Sequence, residues 1–521
     1  MPYQNSSVSS LTTGSPAAPH PSAAGPTRAG APPKLTWKQY VADFVKAPRQ
    51  AKAALIGSLM LVAISPSAMS ALTPYVVPAY AMKTGSTPSH AILLFVTVPL
   101  VIGPALLPVA GRWVDRLGAR RIAIPSVLLY ATATAAIPLG AGRTWLLETL
   151  LVLASIFGFA ASLGVVFKII STWFPGHRGI GFGLVGVTSS LTSAALSPVL
   201  QWLVNGNTST PTGPPSGSEL PTAPPGGGGL PTAPPGGGGL PTAPPAGGGG
   251  APTAGVHHDV FMGLGWDGVY YVIAIAIAVI GIPAVLWLIS EPKLAPVDSG
   301  PKLMDASLPG VPFRRAVRTR AWIFIVLLLT LASTGPVAIR QNAVDLFGHD
   351  GIDAATVSFG LTVLFTASVI GLLASGTVLD HARHPWVVAV LIATVPIGLA
   401  LALLNDGSLE LFYLAMALLG FATGVESAIG PALIARYLGL KSFGALQGLM
   451  LAITGSALAL APYAVSAVHE ASDSYTVPLV ALIGLTGIAV VLAVLLPRYP
   501  RPWLLSTPAE EAAPAQPAAT S

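Results

Sequence analysis

Long apolar runs, separated by short polar or Gly/Pro-marked breaks, recur along the sequence from residue 53 to residue 497. A hydrocarbon core about 30 Å thick requires roughly 20 apolar residues per helix. The pattern therefore predicts an all-α membrane protein with twelve transmembrane helices, α1–α12. Their predicted spans are 53–80, 90–110, 121–141, 144–168, 179–204, 266–290, 321–342, 354–379, 386–404, 409–434, 442–467 and 475–497.

The two halves of the chain resemble each other in sequence. The run that begins at Gly111, after α2, returns in degenerate form at Gly376, after α8. The run from Trp173, after α4, aligns with the run from Tyr437, after α10. Such internal repeats are typical of transporters, so we predict two pseudo-symmetric six-helix bundles. Proline residues deep in α1 and α7 predict matched helix interruptions beside a central substrate site.

Low-complexity segments divide the chain. The sequence LPTAPPGGGG occurs twice between α5 and α6, in a stretch without Lys or Arg, and cannot form a packed core. We predict a disordered outer loop there and assign it no function. The predicted segments are a disordered cytoplasmic tail (1–52), helices α1–α5 of the N-terminal bundle (53–204), the outer loop (205–265), α6 (266–290), a central cytoplasmic loop (291–320), the C-terminal bundle α7–α12 (321–497) and a cytoplasmic tail (498–521).

Composition and charge support a membrane protein. Hydrophobic residues make up 52% of the chain and charged residues 9%, against roughly 25% charged in soluble domains. With both termini cytoplasmic, only Lys83, Arg143 and Arg340 of the 26 Lys and Arg residues fall on the outer side. This positive-inside bias predicts a multi-pass membrane protein with both termini cytoplasmic. The high Ala, Gly and Pro content suggests a bacterial genome, and hence the inner membrane. The basic surplus is thereby assigned to topology and lipid contact, and no nucleic acid is expected.

Enzyme chemistry is not indicated. The chain has no cysteine, and its nine histidines lie in predicted tails, loops or helix ends, so we expect no metal site and no cofactor. A phosphate-binding Gly-x-x-x-x-Gly-Lys-Ser/Thr loop is absent, which argues against ATP-driven pumping. We expect a transporter that is driven by ion gradients and acts as a monomer.

A glycine- and charge-rich run follows α2: Gly-Arg-Trp-Val-Asp-Arg-Leu-Gly-Ala-Arg-Arg. It resembles the signature loop between the second and third helices of the major facilitator superfamily. Asp115 can pair with Arg116 or Arg120, or meet a neighbouring helix N-terminus. The resemblance implies a conformational clasp that holds the outward-open state; the alternative is a positive-inside anchor only. The predicted clasp residues are Gly111, Asp115, Arg116, Gly118, Arg120 and Arg121, with Asp380 and Arg383 in the second half.

Further short motifs narrow the resemblance. Ser171–Gly181, Gly424–Glu426, Ala435–Gly444 and Ser472–Tyr475 together look like the oxalate/formate antiporter and monocarboxylate transporter branch. This resemblance implies transport of small organic anions, often with protons. Members of that branch commonly place a carboxylate-binding cation in α8 or α11, and neither helix contains Lys or Arg here. Without such a cation in α8 or α11, the substrate can be a monoanion or a neutral compound.

Glu426 is the acidic residue that the pattern places deep within a predicted span, about one turn to the cytoplasmic side of the middle of α10. An intramembrane carboxylate is a functional candidate by default. Burial favours the neutral carboxyl, so the proton on Glu426 can depend on which side is open. The alternative is a structural carboxyl that hydrogen-bonds Thr423 or Ser427.

Recognition of an anion requires a cation, and two are available near the cavity. Arg340, one turn after Pro336 in α7, can bind a carboxylate bidentately, and Lys168 lies near the inner end of α4. Both can instead extend toward water from helix ends. The remaining substrate-binding candidates are Gln341, Asn342, Tyr75, Thr73 and Gln447.

The sequence therefore predicts a secondary transporter that moves a small organic anion, a monocarboxylate, together with protons by alternating access. A major facilitator exporter of a hydrophobic drug or metabolite is the alternative within transporters. A membrane sensor or scaffold without transport activity is the alternative from another class.

Overall fold

The computed structural model describes residues 42–174, 178–206, 263–290, 310–382, 384–439 and 442–499. Residues 42–45 form one helical turn, and the chain from Pro48 onward forms a separate unit that contains the membrane helices. In this unit twelve helices of the described residues are long and apolar enough to cross a membrane, and the predicted fold class is confirmed. The predicted outer loop and tails lie outside the described residues except at their edges. Residues 42–45 and 49–52 of the predicted disordered tail are helical, which corrects the prediction there, because α1 begins at Arg49 ahead of its apolar run.

Apart from the end of α7, the membrane helices begin and end within five residues of the predicted spans; α2 ends at Ala105, five residues before its predicted end. Their bounds are Arg49–Thr84 (α1), Pro88–Ala105 (α2), Ala119–Gly140 (α3), Thr144–Ile170 (α4), Ile180–Asn205 (α5), Gly265–Leu288 (α6), Arg320–His349 (α7), Ala354–Gly376 (α8), Trp386–Leu403 (α9), Leu409–Leu438 (α10), Ala445–Ser472 (α11) and Thr476–Val494 (α12). The predictions end α7 and α11 too early, at residues 342 and 467, because polar residues that stay helical dilute the apolar pattern there.

Several helices continue beyond their apolar part. A further helix, Leu107–Leu117, follows α2, and α8 runs on to His381. Gly118, which joins Leu107–Leu117 to α3, has φ 94°, a left-handed conformation that glycine adopts without a steric penalty. These extensions carry the motif residues beyond the apolar core.

The two faces of the helix array are named here by their connections. The insert face is the one where α5 ends at Asn205 and α6 begins at Gly265; the terminal face is the opposite one, where α1 begins and α12 ends. Lys and Arg concentrate at the terminal face, so the positive-inside rule predicts that it is cytoplasmic.

The surface toward the membrane is apolar. On α6, Ile275 is 63% exposed and Val279 66%, and Trp287 near its end is 79% exposed. Extended apolar surface of this kind marks contact with a membrane or with another protein. The helices therefore bury their small and polar residues inward and present their large apolar ones to lipid.

Equivalent side chains hold equivalent helix ends in the two halves. The Trp173 Nε1 donates to the Ser290 carbonyl after α6 at 2.7 Å, and the Tyr437 hydroxyl donates to the Pro497 carbonyl after α12. Trp173 and Tyr437 are the residues that the sequence repeat aligns. The repeat thus reflects one packing arrangement used twice, as pseudo-symmetric bundles require.

The bundles α1–α6 and α7–α12 meet along α5 against α8, α2 against α11, and the second half of α1 against α7. The Thr97 hydroxyl of α2 donates to the Ala459 carbonyl of α11 at 2.8 Å. The Thr362 hydroxyl of α8 donates to the Ala194 carbonyl of α5 at 3.0 Å. The first bond lies near the middle of its helices and the second slightly toward the insert face. Nearer that face the Ser197 hydroxyl of α5 donates to the Ser358 carbonyl of α8 at 3.2 Å, so the described state is closed on the insert face.

Candidate functional site

The proline interruptions differ between the halves. In α1 the helix breaks at Ser65, whose hydroxyl accepts from the Ala68 amide at 3.4 Å and caps the segment beginning at Pro66. The carbonyl of Ile64 at the break accepts from the Tyr130 hydroxyl of α3 at 3.0 Å. In α7, by contrast, the helix is continuous through Pro336. The prediction of matched interruptions is therefore wrong for α7, since packing of neighbouring helices keeps a proline-containing helix intact.

Glu426 lies in the interior of α10, as predicted. Its Oε1 atom is enclosed and has no hydrogen-bond partner among the described residues. The carboxyl lies beside the Ser333 hydroxyl of α7. Thr423 and Ser427, the neighbours that a structural role would use, donate to backbone carbonyls of their own helix at 2.9 and 3.2 Å. The carboxyl therefore faces α7 with one oxygen available.

Glycines fix the distance between α10 and α8. A Cβ at Gly424 would lie 2.6 Å from the Leu372 amide nitrogen and even closer to the Ser368 carbonyl oxygen. A Cβ at Gly420 would meet the backbone of Leu364, 2.7 Å from its Cα. This Gly-x-x-x-Gly spacing lets two membrane helices approach to backbone contact. The close approach holds Glu426, two residues beyond Gly424, at a fixed position relative to α8.

Arg340 lies two helical turns from Ser333 on α7. The residue is half-buried, its Nε is enclosed without a hydrogen-bond partner in the described part of the chain, and its guanidinium carbon lies 5.8 Å from the Phe365 ring centroid. A cation over an aromatic face is partly stabilised by the ring quadrupole. Among the described carboxylates, none forms a salt bridge with Arg340. An unpaired cation within a membrane span is costly, so an anionic ligand would relieve that cost.

Ser333 and Arg340 share one face of α7, because seven residues span nearly two full turns. The spacing corresponds to about 10 Å along the helix axis. Glu426 beside Ser333 and the guanidinium of Arg340 are therefore arranged along the same side of α7. The structure brings a candidate proton carrier and a candidate anion-binding group to one face.

Lys168 contacts the end of a neighbouring helix. Its Nζ donates to the Val114 carbonyl at the end of the Leu107–Leu117 helix, at 2.6 Å. Arg436 does the same in the second half, donating to the carbonyls of Leu379 and Ala382 at the end of α8. Cations suit these positions because the last carbonyls of a helix carry partial negative charge. We therefore do not carry Lys168 into the substrate site.

Two of the other substrate candidates are engaged elsewhere. The Tyr75 hydroxyl is 2.6 Å from the Ser197 hydroxyl of α5. The Asn342 Nδ2 donates to Ala338 and Pro462 carbonyls, and its Oδ1 accepts from Ser466 at 2.7 Å. These bonds hold helices together and leave little capacity for a ligand.

The remaining polar candidates retain free groups. Gln341 is 2% exposed, and neither its Oε1 nor its Nε2 has a partner among the described residues. The Gln447 Oε1 is likewise enclosed and unpaired within that part of the chain. Thr73 is half-buried at the start of the α1 segment Thr73–Thr84. Buried amides of this kind bind water or a ligand, so Gln341 and Gln447 remain candidates.

The predicted clasp is described in part. Arg120 donates to the Leu286 carbonyl at the end of α6 at 2.5 Å, which ties α3 to α6. Arg116 and Arg121 are exposed, and Gly111 lies within the Leu107–Leu117 helix. The side chains of Asp115 and Asp380, and residue Arg383, lie outside the described part. The clasp therefore stays a prediction.

Sequence reasoning missed several residues of this region. Ser333 and Phe365 complete the surroundings of Glu426 and Arg340, and the enclosed hydroxyl of Thr330 lies one turn from Ser333. The heptad spacing from Ser333 to Arg340 was a usable signal. Phe365 offered none, since an apolar residue in an apolar span does not stand out.

A family model described as Major Facilitator Superfamily matches residues 58–212 and 342–520. The chain is also similar to the crystal structure of a bacterial homolog of the human lysosomal transporter Spinster, in an inward-facing and unoccupied conformation. That similarity covers 86% of this chain and 97% of the other, with a TM-score of 0.59 and 15% sequence identity, and shows the fold alone. No curated protein sequence matches the chain.

Proposed function

Because this chain belongs to the major facilitator superfamily and is a secondary transporter, we propose that it moves a small organic anion, a monocarboxylate, together with a proton by alternating access. The family match reaches the superfamily only, so the resemblance to the oxalate/formate and monocarboxylate branch stays a prediction. The observation that carries the proposal is the enclosed, unpaired Nε of Arg340 on the same face of α7 as Glu426.

Arg340 is proposed to bind the substrate carboxylate. Its planar guanidinium presents parallel N–H donors that match the two oxygens of a carboxylate. Phe365 beside it gives the rest of the substrate an apolar, aromatic surface. One cation at this point favours a monoanion over a dianion, since α8 and α11 contribute no second Lys or Arg.

Glu426 is proposed to carry the proton. In the empty carrier, Arg340 is positive and Glu426 is negative, so the pair is neutral. When a monoanion binds Arg340 and a proton binds Glu426, the site is again neutral. Both the empty and the loaded carrier can then reorient without moving net charge through the membrane, which avoids the cost of an isolated intramembrane charge.

The closed insert face supports access from the terminal face in the described state. If the terminal face is cytoplasmic, as the charge bias predicts, this state corresponds to the inward-facing conformation of the similar structure. We infer a monomer of the bacterial inner membrane with both termini cytoplasmic.

The first test is uptake of labelled lactate, pyruvate, formate and related short acids into proteoliposomes with an inward proton gradient. We expect saturable uptake of one acid that unlabelled competitors and a protonophore abolish. Confirmed reconstitution with no response to any carboxylate would refute the anion proposal and favour the exporter of a hydrophobic compound.

Arg340→Gln tests the anion site. We expect the apparent affinity for the acid to fall at least about tenfold, because a charge-assisted bidentate contact is lost. Arg143→Gln is the matched control, since Arg143 is an exposed guanidinium at the insert face. Equal affinities in the two variants would contradict the assignment of Arg340.

Glu426→Gln tests proton coupling. A neutral amide cannot exchange a proton, so we expect loss of pH-driven accumulation while substrate counterflow persists. Glu148→Gln, a half-buried carboxylate in α4, is the control. Unchanged pH-driven uptake in Glu426→Gln would rule out the proton role and leave the anion site unaffected.

A further inference from the structure

The insert-side ends of α2 and α11 are joined by a carboxylate that uses both of its oxygens. Glu470 Oε1 accepts from the Ser89 amide at 2.6 Å, and Oε2 accepts from the Ser89 hydroxyl at 2.6 Å. Ser89 is 8% exposed. Glu470 itself is exposed, so the two short bonds form a charge-assisted polar contact between the bundles at the rim of the insert face.

The Glu470 side of the contact is fixed to its own bundle. The Tyr475 hydroxyl, at the start of α12, donates to the Asp345 carboxylate of α7. The His469 ring stacks on the Tyr475 ring with centroids 3.7 Å apart. The end of α11 is thus held against α7 and α12. Motion of the C-terminal bundle therefore moves Glu470 with it.

The Ser89 side is equally constrained. The Thr87 hydroxyl accepts from the His90 amide at 3.3 Å and orders the first turn of α2. Further along α2, the Phe95 ring packs edge-on against the Tyr80 ring of α1, with centroids 5.1 Å apart, and against the Trp266 ring of α6 at 6.0 Å, which holds α2 in the N-terminal bundle. Separation of the bundles at the insert face must break the Glu470–Ser89 contact, because each partner is anchored to a different bundle.

We propose that Glu470 and Ser89 form the gate of the insert face: their contact holds that face closed, and its rupture gives the state open to that face. The proposal requires only that the chain alternates between two access states. It therefore stands or fails independently of the substrate and of the proton role of Glu426.

The absence of cysteine from the chain permits labelling of single introduced cysteines. Ser358→Cys on α8 is the probe for the insert side. Ser358 is 1% exposed, and its carbonyl accepts from the Ser197 hydroxyl across the seam with α5 at 3.2 Å. This seam lies between other helices than the gate, so the probe reports opening of the whole face.

Leu372→Cys is the probe for the terminal side. Leu372 lies on the same helix, its Cδ2 atom 3.1 Å from the position of a Cβ at Gly186 of α5. A membrane-impermeant maleimide is applied to vesicles of each orientation, so that each face is labelled separately.

In Glu470→Ala we expect the labelling rate of the 358 probe from the insert face to rise about tenfold, because two hydrogen bonds to a charged group are lost. Labelling of the 372 probe from the terminal face should fall, since opening one face closes the other. Ser89→Ala should give a smaller rise, and the double variant no more than Glu470→Ala alone. Glu410→Ala, an exposed carboxylate on the same face, is the control.

Two outcomes would overturn the proposal. An unchanged rate at the 358 probe in Glu470→Ala means that the contact does not hold the face closed. A rise at both probes, with a lower unfolding temperature, means general loosening of the fold and not a gate.

Discussion

The contact of α8 with α10 gives the most direct quantitative prediction. Gly424→Ala places a methyl group where the Leu372 amide nitrogen would be 2.6 Å away and the Ser368 carbonyl carbon 2.8 Å away. Unstrained carbon contacts are about 3.5–4.0 Å. Backbone atoms cannot rotate aside as a side chain can, so the two helices must separate by roughly 1 Å over this stretch.

The magnitude follows from two opposing terms. Overpacking of this kind costs about 1–3 kcal/mol, and separation also loosens the Gly420 contact, which places the cost near the upper end. Alanine is favoured over glycine in a helix by about 1 kcal/mol. Gly484→Ala is the matched control, because a Cβ there meets nothing within 4 Å. Both variants replace glycine by alanine in a helix, so the stabilisation from helix propensity is the same in each and cancels in the comparison. We therefore expect Gly424→Ala to be about 3 kcal/mol less stable than Gly484→Ala.

The assay is unfolding in mixed detergent micelles, followed by tryptophan fluorescence, with the two variants compared under identical conditions. Uptake measured in parallel should be slower in Gly424→Ala, because α10 carries Glu426 and α8 carries Phe365. Equal unfolding free energies for the two variants would refute the argument that backbone contact at Gly424 sets the distance between α8 and α10.

Two further predictions concern the insert face. Asp353→Ala should lower the unfolding free energy by about 1 kcal/mol. The reason is that the Asp353 carboxylate caps α8, accepting from the Thr356 amide at 3.0 Å and from the Thr356 hydroxyl at 2.6 Å. Equal unfolding free energies for the variant and the parent protein would contradict the capping role. Burial raises the pKa of Asp350 above its ordinary value, so the folded protein disfavours the charged form, and the resulting loss of stability sets in as pH rises above the ordinary pKa. Asp350→Asn should therefore raise the unfolding temperature at pH 7 and have progressively less effect toward pH 4. Asp406→Asn, at an exposed neighbouring carboxylate, serves as the control. An increase in unfolding temperature that does not shrink on acidification would contradict the reasoning.

Much of the architecture was predictable from the sequence because a bilayer constrains a chain strongly. Each span must be helical and apolar over about 20 residues, so the positions of α1–α12 follow from hydropathy. The alignment of Trp173 with Tyr437 predicted the repeat, and both side chains donate to the backbone just after the last helix of their own bundle. Glu426 was identifiable because a carboxylate in a span is costly and therefore conspicuous.

Which polar residues are available for function was decided by the tertiary structure. Lys168, Tyr75 and Asn342 resembled Arg340 as candidates, yet each is engaged with another helix. Helix rotation and packing determine those partners, and the local pattern does not encode them. The continuous helix at Pro336 is a case of the same kind, since its neighbours and not its own sequence keep it intact.

The Glu470–Ser89 contact best separates the features that are predictable from the sequence from those that depend on packing. The sequence by itself determined the twelve helices, their division into two halves and the single deep carboxylate, because the hydrocarbon core selects these features residue by residue. Only the tertiary structure placed Glu470 against Ser89, a residue 381 positions away, and left the Arg340 Nε without a partner among the described residues. Contacts between bundles depend on how two separately formed halves meet, and that geometry is set by packing along their whole length.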